Sequence, residues 1–282
     1  MLDLNPFPLI NTEKKFILFT NAKCGGTVLK SWFLKTLNLE NNFSSFFHAL
    51  THFRFSFVLG WYLHYYKFID GTQIINNDKY LRKFIAHHRD ATRGILPDII
   101  DDPSWFKFAV VRNPYDRLVS AFVDKFCREG LETPKSQKIL MAVNSTDNKG
   151  NLQISFRQFV EYLDTQNIDT VDRHWRRQSY ILDDIKLDKI IDIKDIATAL
   201  PELEKQFCIE TNFNFDIRRQ SNIYDEKKDE IISYTWDIPN TELIQRHAET
   251  NTFPKRSKFY NDELKSIVSR IYEDVFKLYP YD

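Results

Sequence analysis

The 282 residues, 43% hydrophobic and 28% charged, have the composition of a globular chain and exclude a disordered, collagenous or coiled-coil one. Lys plus Arg and Asp plus Glu balance at 39 each, so the molecule has no global field to hold a nucleic acid, and any anion site has to be local. Glycine is scarce at 7 residues, and two of them, Gly25 and Gly26, are adjacent, which concentrates backbone freedom at one point.

The length fits one α/β domain over residues 1–282. Cys24, Cys127 and Cys208 are far apart, lack the paired spacing of a zinc site or a redox dithiol, and read as reduced thiols. Asp3, Asn5, Pro6 and Pro8 interrupt the start of the chain, so no secretory signal is expected there. The run KFILFT at residues 15–20 reads as a buried strand that stops at Asn21-Ala22-Lys23-Cys24-Gly25-Gly26-Thr27. Val28, Leu29, Trp32, Phe33 and Leu37 then recur at helical spacing, so this is strand, glycine loop, helix. Residues 43–69 are the most apolar region, but His48, His52, Arg54, His64 and Lys67 interrupt the uncharged run of about 20 that spans a bilayer. The expectation is a buried or interfacial helical segment, no transmembrane span, and a cytoplasmic protein. His48 and His52 share an i, i+4 face that suits a metal, but no third ligand accompanies them, and a helix-surface pair is the simpler reading.

Tyr80, Leu81, Phe84 and Ile85 form one stripe of a helix over 76–88 that ends at the pair His87-His88. Asp101-Asp102 reads as a turn. FKFAVV at 106–111 is the second clear strand, and Arg112-Asn113-Pro114 ends it as a helix start, with Asn as cap and Pro in the first turn. Tyr115, Leu118, Val119, Phe122, Val123 and Phe126 mark the helix that follows. Residues 128–151 are polar, contain Gly130 and Pro134, and read as a long loop. The triplets at Asn42 and Asn144 fit a glycosylation acceptor but read as surface polar residues. A helix over 155–163, a third strand at 189–193, a helix over 197–207 and a C-terminal helix over 261–278 complete the order. Strands alternating with helices imply an α/β fold whose mainly parallel central sheet is covered on both faces and whose ligands collect at the strands' carboxyl ends.

Lys23, Gly25, Gly26 and Thr27 suit an anion. Backbone N–H groups of a glycine loop converge at a helix N-terminus, the Lys reaches a phosphate-like group, and the Thr hydroxyl donates once more. The Lys precedes the glycines, unlike the order of a P-loop nucleotidase, and this weakens a reading as an ATPase. Taken alone, the segment fits an ordinary strand-to-helix turn equally well. Residues 109–122 add a second junction of the same kind, with Arg112 at the strand end and Ser120 one turn beyond Arg117, placed to grip one phosphate.

At these two segments the chain resembles the sulfotransferases that use 3′-phosphoadenosine 5′-phosphosulfate (PAPS), in particular the carbohydrate sulfotransferase group. Arg112-Asn113-Pro114-Tyr115-Asp116-Arg117-Leu118-Val119-Ser120 matches that group's Arg-x-Pro-x-x-Arg-Leu-x-Ser segment. Asp172-Arg173-His174-Trp175-Arg176-Arg177-Gln178 looks like its His-Trp segment, and the C-terminal helix ending in Tyr279 and Tyr281 looks like its closing helix. The loop Cys24-Gly25-Gly26-Thr27 is richer in glycine than in many animal members, and the membrane anchor of those enzymes is not seen. The resemblance implies a P-loop-like three-layer α/β/α fold and in-line transfer of a sulfuryl group from PAPS to a carbohydrate or glycan hydroxyl, with no metal required. It implies that Lys23 neutralises the departing phosphate oxygen. Lys23, Cys24, Gly25, Gly26 and Thr27 hold the 5′-phosphosulfate end, and Arg112 with Ser120 holds the 3′-phosphate.

The acceptor hydroxyl needs a base near neutral pH. His87 and His88 lie between the two cofactor segments, where the group places its base, with His87 slightly favoured; the alternative is a pair of surface residues capping a helix. Arg173, His174 and Trp175 are candidates for contacting the cofactor or stacking on a sugar ring, against a charged turn with one aromatic anchor. Arg218-Arg219 and Lys255-Arg256 with Lys258 offer local attraction for an anionic glycan, or simply solvated surface. Two other functions compete with the sulfotransferase: a P-loop-like kinase, and a non-catalytic nucleotide- or glycan-binding relative.

Overall fold

The computed structural model describes residues 7–37, 78–128, 134–144, 153–179, 185–213, 224–225 and 234–279. The apolar region 43–69, with His48 and His52, and the pair Arg218-Arg219 lie outside them. The fold is α/β, with a four-stranded, mostly parallel sheet flanked by helices. The chain divides into two compact units, residues 1–111 with 181–218 and residues 112–180 with 219–282, each built from two separated stretches.

The first unit holds the sheet. Its strands are β1 (Leu9–Asn11), β2 (Phe16–Thr20), β3 (Phe106–Val111) and β4 (Lys189–Asp192), in that spatial order. β2, β3 and β4 run parallel, with Thr20 opposite Val110 and Val111 opposite Asp192, so their carboxyl ends share one edge. β1 is an antiparallel strand that the sequence reading did not contain. Three residues beside prolines are too short for a periodic signal, and β1 is held from elsewhere: the Asn11 side chain donates to the Thr36 carbonyl and hydroxyl at the end of α1 (Gly26–Thr36). Leu18, Phe16, Phe108 and Val110 pack with Leu29, Trp32 and Phe33 of α1, Phe84 and Ile85 of α2 (Asp78–Thr92), and Leu200 and Leu203. Ile17, Phe19, Ala109 and Val111, which alternate with them, are also buried, so both faces of the sheet are covered. Each such side chain contributes roughly 1.5–3 kcal/mol by leaving water. Trp32, fully buried, keeps its indole N–H satisfied on Glu204 at 2.7 Å.

α2 continues through the His pair to Thr92, so the two histidines are helix-interior residues and do not cap its end. α3 (Leu96–Ile99) leads to the turn at Asp101-Asp102, where the Asp102 carboxylate accepts the Ser104 amide at 2.8 Å as expected of a turn.

The second unit begins at Arg112. α4 (Pro114–Phe122) starts as expected, with Asn113 accepting the Tyr115 amide at 2.9 Å and Pro114 at the first position. It passes into a π-helical turn, Val123–Arg128, in which the Phe126 carbonyl accepts from the buried Asn240 side chain at 2.9 Å. The long loop expected over 128–151 contains α5 (Pro134–Val143), which buries Ile139 and Leu140; its Pro134 marks a helix start, not a break. Asn144 is engaged through its side chain with the Leu140 and Gln153 carbonyls, each at 2.8 Å. α6 (Phe156–Asp164) opens with a reciprocal capping box between Ser155 and Gln158. α7 (Ile196–Gln206) belongs to the first unit. In the second, β5 (Tyr224–Asp225) pairs in parallel with β6 (Phe253–Pro254), and α8 (Asn240–Thr250) lies between them in sequence. The single C-terminal helix expected over 261–278 is two, α9 (Asp262–Ile271) and α10 (Glu273–Leu278). The break falls at Tyr272, which is buried and donates its hydroxyl to the Trp175 carbonyl. The unit's core is aromatic: Phe122, Phe126, Phe156, Phe159 and Trp175 meet with ring centroids 5.3–6.4 Å apart.

Candidate functional site

In the first unit, β2 runs into the glycine loop. Thr20 is its last residue, the Cys24 amide closes a turn on the Asn21 carbonyl at 3.3 Å, and Lys23 and Gly25 take left-handed backbone angles, φ 67° and 71°. Gly25 is the N-cap of α1: its carbonyl accepts the Leu29 amide at 3.0 Å and no side chain caps the helix. The first backbone N–H groups of α1 therefore have no acceptor within the helix, and its first turn holds no acidic residue. The two glycines serve different purposes. A Cβ at Gly25 would be strained by its φ and would approach the Ile193 Cδ1 at 3.1 Å; a Cβ at Gly26 would enter open space. Gly25 shapes the turn, and Gly26 stands where a ligand can approach the helix start. Lys23 is half-buried and Thr27 exposed, whereas Cys24 is buried, so what Cys24 offers a ligand is its backbone. Among the described residues, a helix start with no acid in its first turn, a lysine in the loop and open space at Gly26 fit a phosphate-bearing group.

Arg89 brings a further cation to this edge. Its Nη2 donates to the Thr20 hydroxyl at 3.2 Å, at the residue where β2 enters the loop. Sequence reasoning passed over Arg89; the readable signal was its place four residues after Ile85 on the buried stripe of α2, an inward position for an arginine.

The two histidines beside it differ. His88 Nε2 donates to the Ile10 carbonyl at 2.9 Å, with its ring edge-on to Phe33 and stacked on Phe84. Burial pushes its pKa down to about 4, with the Ile10 hydrogen bond opposing and the Arg89 charge assisting. His88 is thereby a neutral packing group that ties α2 to β1. His87 is half-buried on the neighbouring face.

Unfolded, His88 takes a proton near pH 6.5, whereas the folded ring takes one only near pH 4. Between those values the unfolded state binds more protons, so stability is full above pH 6.5 and is lost as the pH falls toward 4. The residue as a whole is half-buried, which reduces the loss to on the order of 2 kcal/mol. His88→Gln keeps an N–H for the Ile10 carbonyl and cannot charge. Urea unfolding from pH 7 to 4 is expected to show a flatter acid limb for this variant, and an unaltered limb would contradict the assignment.

The second junction starts at Arg112, half-buried at the end of β3, where the side-chain amide of the fully buried Gln178 grips its backbone at both ends. The Arg112 N–H donates to Gln178 Oε1 at 2.8 Å, and Gln178 Nε2 donates to the Arg112 carbonyl at 2.6 Å. Arg117, 3% exposed, points inward, and its guanidinium donates to the Arg173 and Arg176 carbonyls at 2.9 Å each. The second arginine of the segment thus shapes the loop that delivers Gln178 to the first. Ser120 is half-buried, one turn beyond Arg117 on α4.

Arg177 secures the same loop on Asp169 and Asp274. Trp175 is buried against Phe126 and Phe159, so it is the aromatic anchor of a charged turn; an indole inside the core has no face for a sugar ring. Arg173 is exposed, and its carbonyl is taken by Arg117. His174 Nδ1 donates to the Asp172 carboxylate, which fixes the tautomer and leaves Nε2 as the ring's acceptor. Burial lowers the His174 pKa, against the upward pull of the Asp172 hydrogen bond and charge.

A mostly parallel sheet with a glycine loop after β2 and a capped helix start after β3 defines an α/β protein of the kind whose ligands collect at the carboxyl ends of the strands. The chain matches the model of the Sulfotransferase family over residues 9–282, and it belongs to that family. No curated protein and no solved structure matches it. Membership supports sulfotransfer as its activity. Among the described residues no helix is long and apolar enough to cross a membrane, and no three His, Cys, Asp or Glu side chains gather as a metal site.

Proposed function

We propose that this protein is a PAPS-dependent sulfotransferase that acts on a hydroxyl of a carbohydrate or glycan. The observation that carries the donor reading is the left-handed Lys23–Gly25 turn, which opens α1 at Gly26 onto open space among the described residues, with a lysine in the loop and no acid in the helix's first turn. PAPS supplies an activated sulfuryl group on a phosphate leaving group. Lys23 neutralises the charge that develops on the departing phosphate oxygen, and the α1 amides with the Thr27 hydroxyl hold the 5′-phosphate. Arg112, its backbone fixed by Gln178, and Ser120 take the 3′-phosphate and so prefer PAPS over ATP.

His87 is the proposed base for the acceptor hydroxyl, because His88 commits its Nε2–H to Ile10 and holds a proton poorly. The Asp172 contact favours a second candidate, His174, whose Nε2 is left as an acceptor. Loss of turnover in His87→Gln but not in His174→Gln decides for the first, and the reverse decides for the second.

The donor reading is tested by thermal unfolding. 3′,5′-Adenosine bisphosphate is expected to raise the melting temperature by several degrees near saturation and ATP with magnesium to leave it unchanged. The opposite pattern would favour a kinase, in which the segment from Arg112 to Ser120 has no role. Labelled-sulfate transfer across glycans, lipids and tyrosine peptides then separates a carbohydrate enzyme from other acceptors, and an enzyme from a binding relative.

A further inference from the structure

The second unit holds a buried hydroxyl that packing leaves unsatisfied. Tyr224, on β5, is 4% exposed, and its hydroxyl proton has no acceptor among the described residues. The Arg256 guanidinium lies over its ring, 4.0 Å from the centroid. That is a cation–π geometry, and since a guanidinium can only donate, it leaves the hydroxyl proton without an acceptor. Register brings the two residues together: Tyr224 pairs with Phe253 and Asp225 with Pro254, two residues before Arg256.

Burial raises the Tyr224 pKa, so the group is a neutral O–H donor at physiological pH. Arg256 acts on it through its charge and through a side-chain hydrogen bond in which a guanidinium can only donate to the phenol oxygen, and Arg112 acts through its charge. The remaining neighbour that acts on it is the Cys127 thiol, which burial pushes up to about 12 and keeps neutral. No carboxylate among the described residues takes part. A buried donor without an acceptor costs folding free energy of the order of a lost hydrogen bond, and the charges that reach it are those of two arginines. One of the two is Arg112, to which the proposed function gives the 3′-phosphate.

We propose that the Tyr224 hydroxyl, braced by the Arg256 guanidinium, donates to the 3′-phosphate of the nucleotide and, with Arg112, selects a 3′-phosphorylated donor over a plain 5′-nucleotide. This rests on the PAPS reading above. It adds a recognition residue from a segment that carries no part of the Arg112 to Ser120 pattern. It also accounts for the orphaned hydroxyl, which the ligand satisfies.

Tyr224→Phe removes the hydroxyl and keeps the ring under Arg256. Calorimetric titration of the full chain with 3′,5′-adenosine bisphosphate and with adenosine 5′-monophosphate reads the result. The variant is expected to bind the bisphosphate about ten- to a hundredfold more weakly and the monophosphate as the wild type does. Its unliganded melting temperature is expected to equal or exceed that of the wild type, because an unsatisfied buried group has been removed; a merely structural tyrosine would lower it. Unaltered bisphosphate affinity in Tyr224→Phe, or equal weakening of both nucleotides, overturns this inference and leaves the donor reading standing. Absence of bisphosphate binding by the wild type overturns the donor reading itself and the inference with it.

Discussion

Lys23→Ala is expected to lower kcat for sulfate transfer by about a hundred- to a thousandfold, the range found when one preorganised charge-stabilising group is removed. The charge on the departing phosphate oxygen grows from the bound donor to the transition state, so the loss should fall on kcat more than on the affinity for PAPS. Lys23 sits at φ 67°, a conformation set by the turn between β2 and α1 and anchored by Gly25. Ala meets the same backbone constraint, so the fold should survive and the melting temperature should change little. Single-turnover transfer at saturating donor isolates the chemical step. A rate within threefold of wild type would remove Lys23 from the reaction.

Arg117→Met is expected to cost roughly 3 kcal/mol of stability, because it leaves the Arg173 and Arg176 carbonyls without their donor in a closed environment. The effect should also spread to binding. Those carbonyls belong to the turn that presents Gln178 to Arg112, so a loosened turn releases the Arg112 backbone. Arg112→Ala makes the contrast: the half-buried side chain is lost while the Gln178 contacts to its backbone remain, so stability should change little and preference for the 3′-phosphate should be lost. Urea unfolding and bisphosphate titration of both variants separate the two roles. Equal stability of Arg117→Met and wild type would refute the structural role.

The contrast shows why half of this segment was legible. Asn113, Pro114 and the apolar stripe after them act within a few residues of themselves, so spacing alone locates the strand end and the helix start. That Arg112 and Arg117 have opposite roles depends on which faces the core, and Arg117 turns inward because two carbonyls from residues more than fifty positions away need a donor. The same holds for the histidines. Periodicity puts His87 and His88 on one helix, but the Ile10 carbonyl on β1 turns one of them into a packing group, and β1 itself gave no periodic signal. The resemblance leaned toward Trp175 as a cofactor or sugar contact, but Phe126 and Phe159 enclose it as an anchor. Pro134 and Tyr272 mislead in opposite directions: a proline that starts a helix looks like a breaker, and a helix-compatible tyrosine ends one because its hydroxyl is drawn to the Trp175 carbonyl.

What was readable without coordinates is whatever local backbone chemistry enforces: two apolar strands and a third strand candidate, the adjacent glycines that concentrate backbone freedom at one point, and the capped helix after Arg112. Folding alone decided the partners of the long polar side chains. Arg89 at the end of β2, Gln178 on the Arg112 backbone and Arg256 over Tyr224 are all brought into place by chain distant in sequence. Such contacts form because buried polar groups must find partners wherever packing brings them, and no spacing rule encodes where that will be.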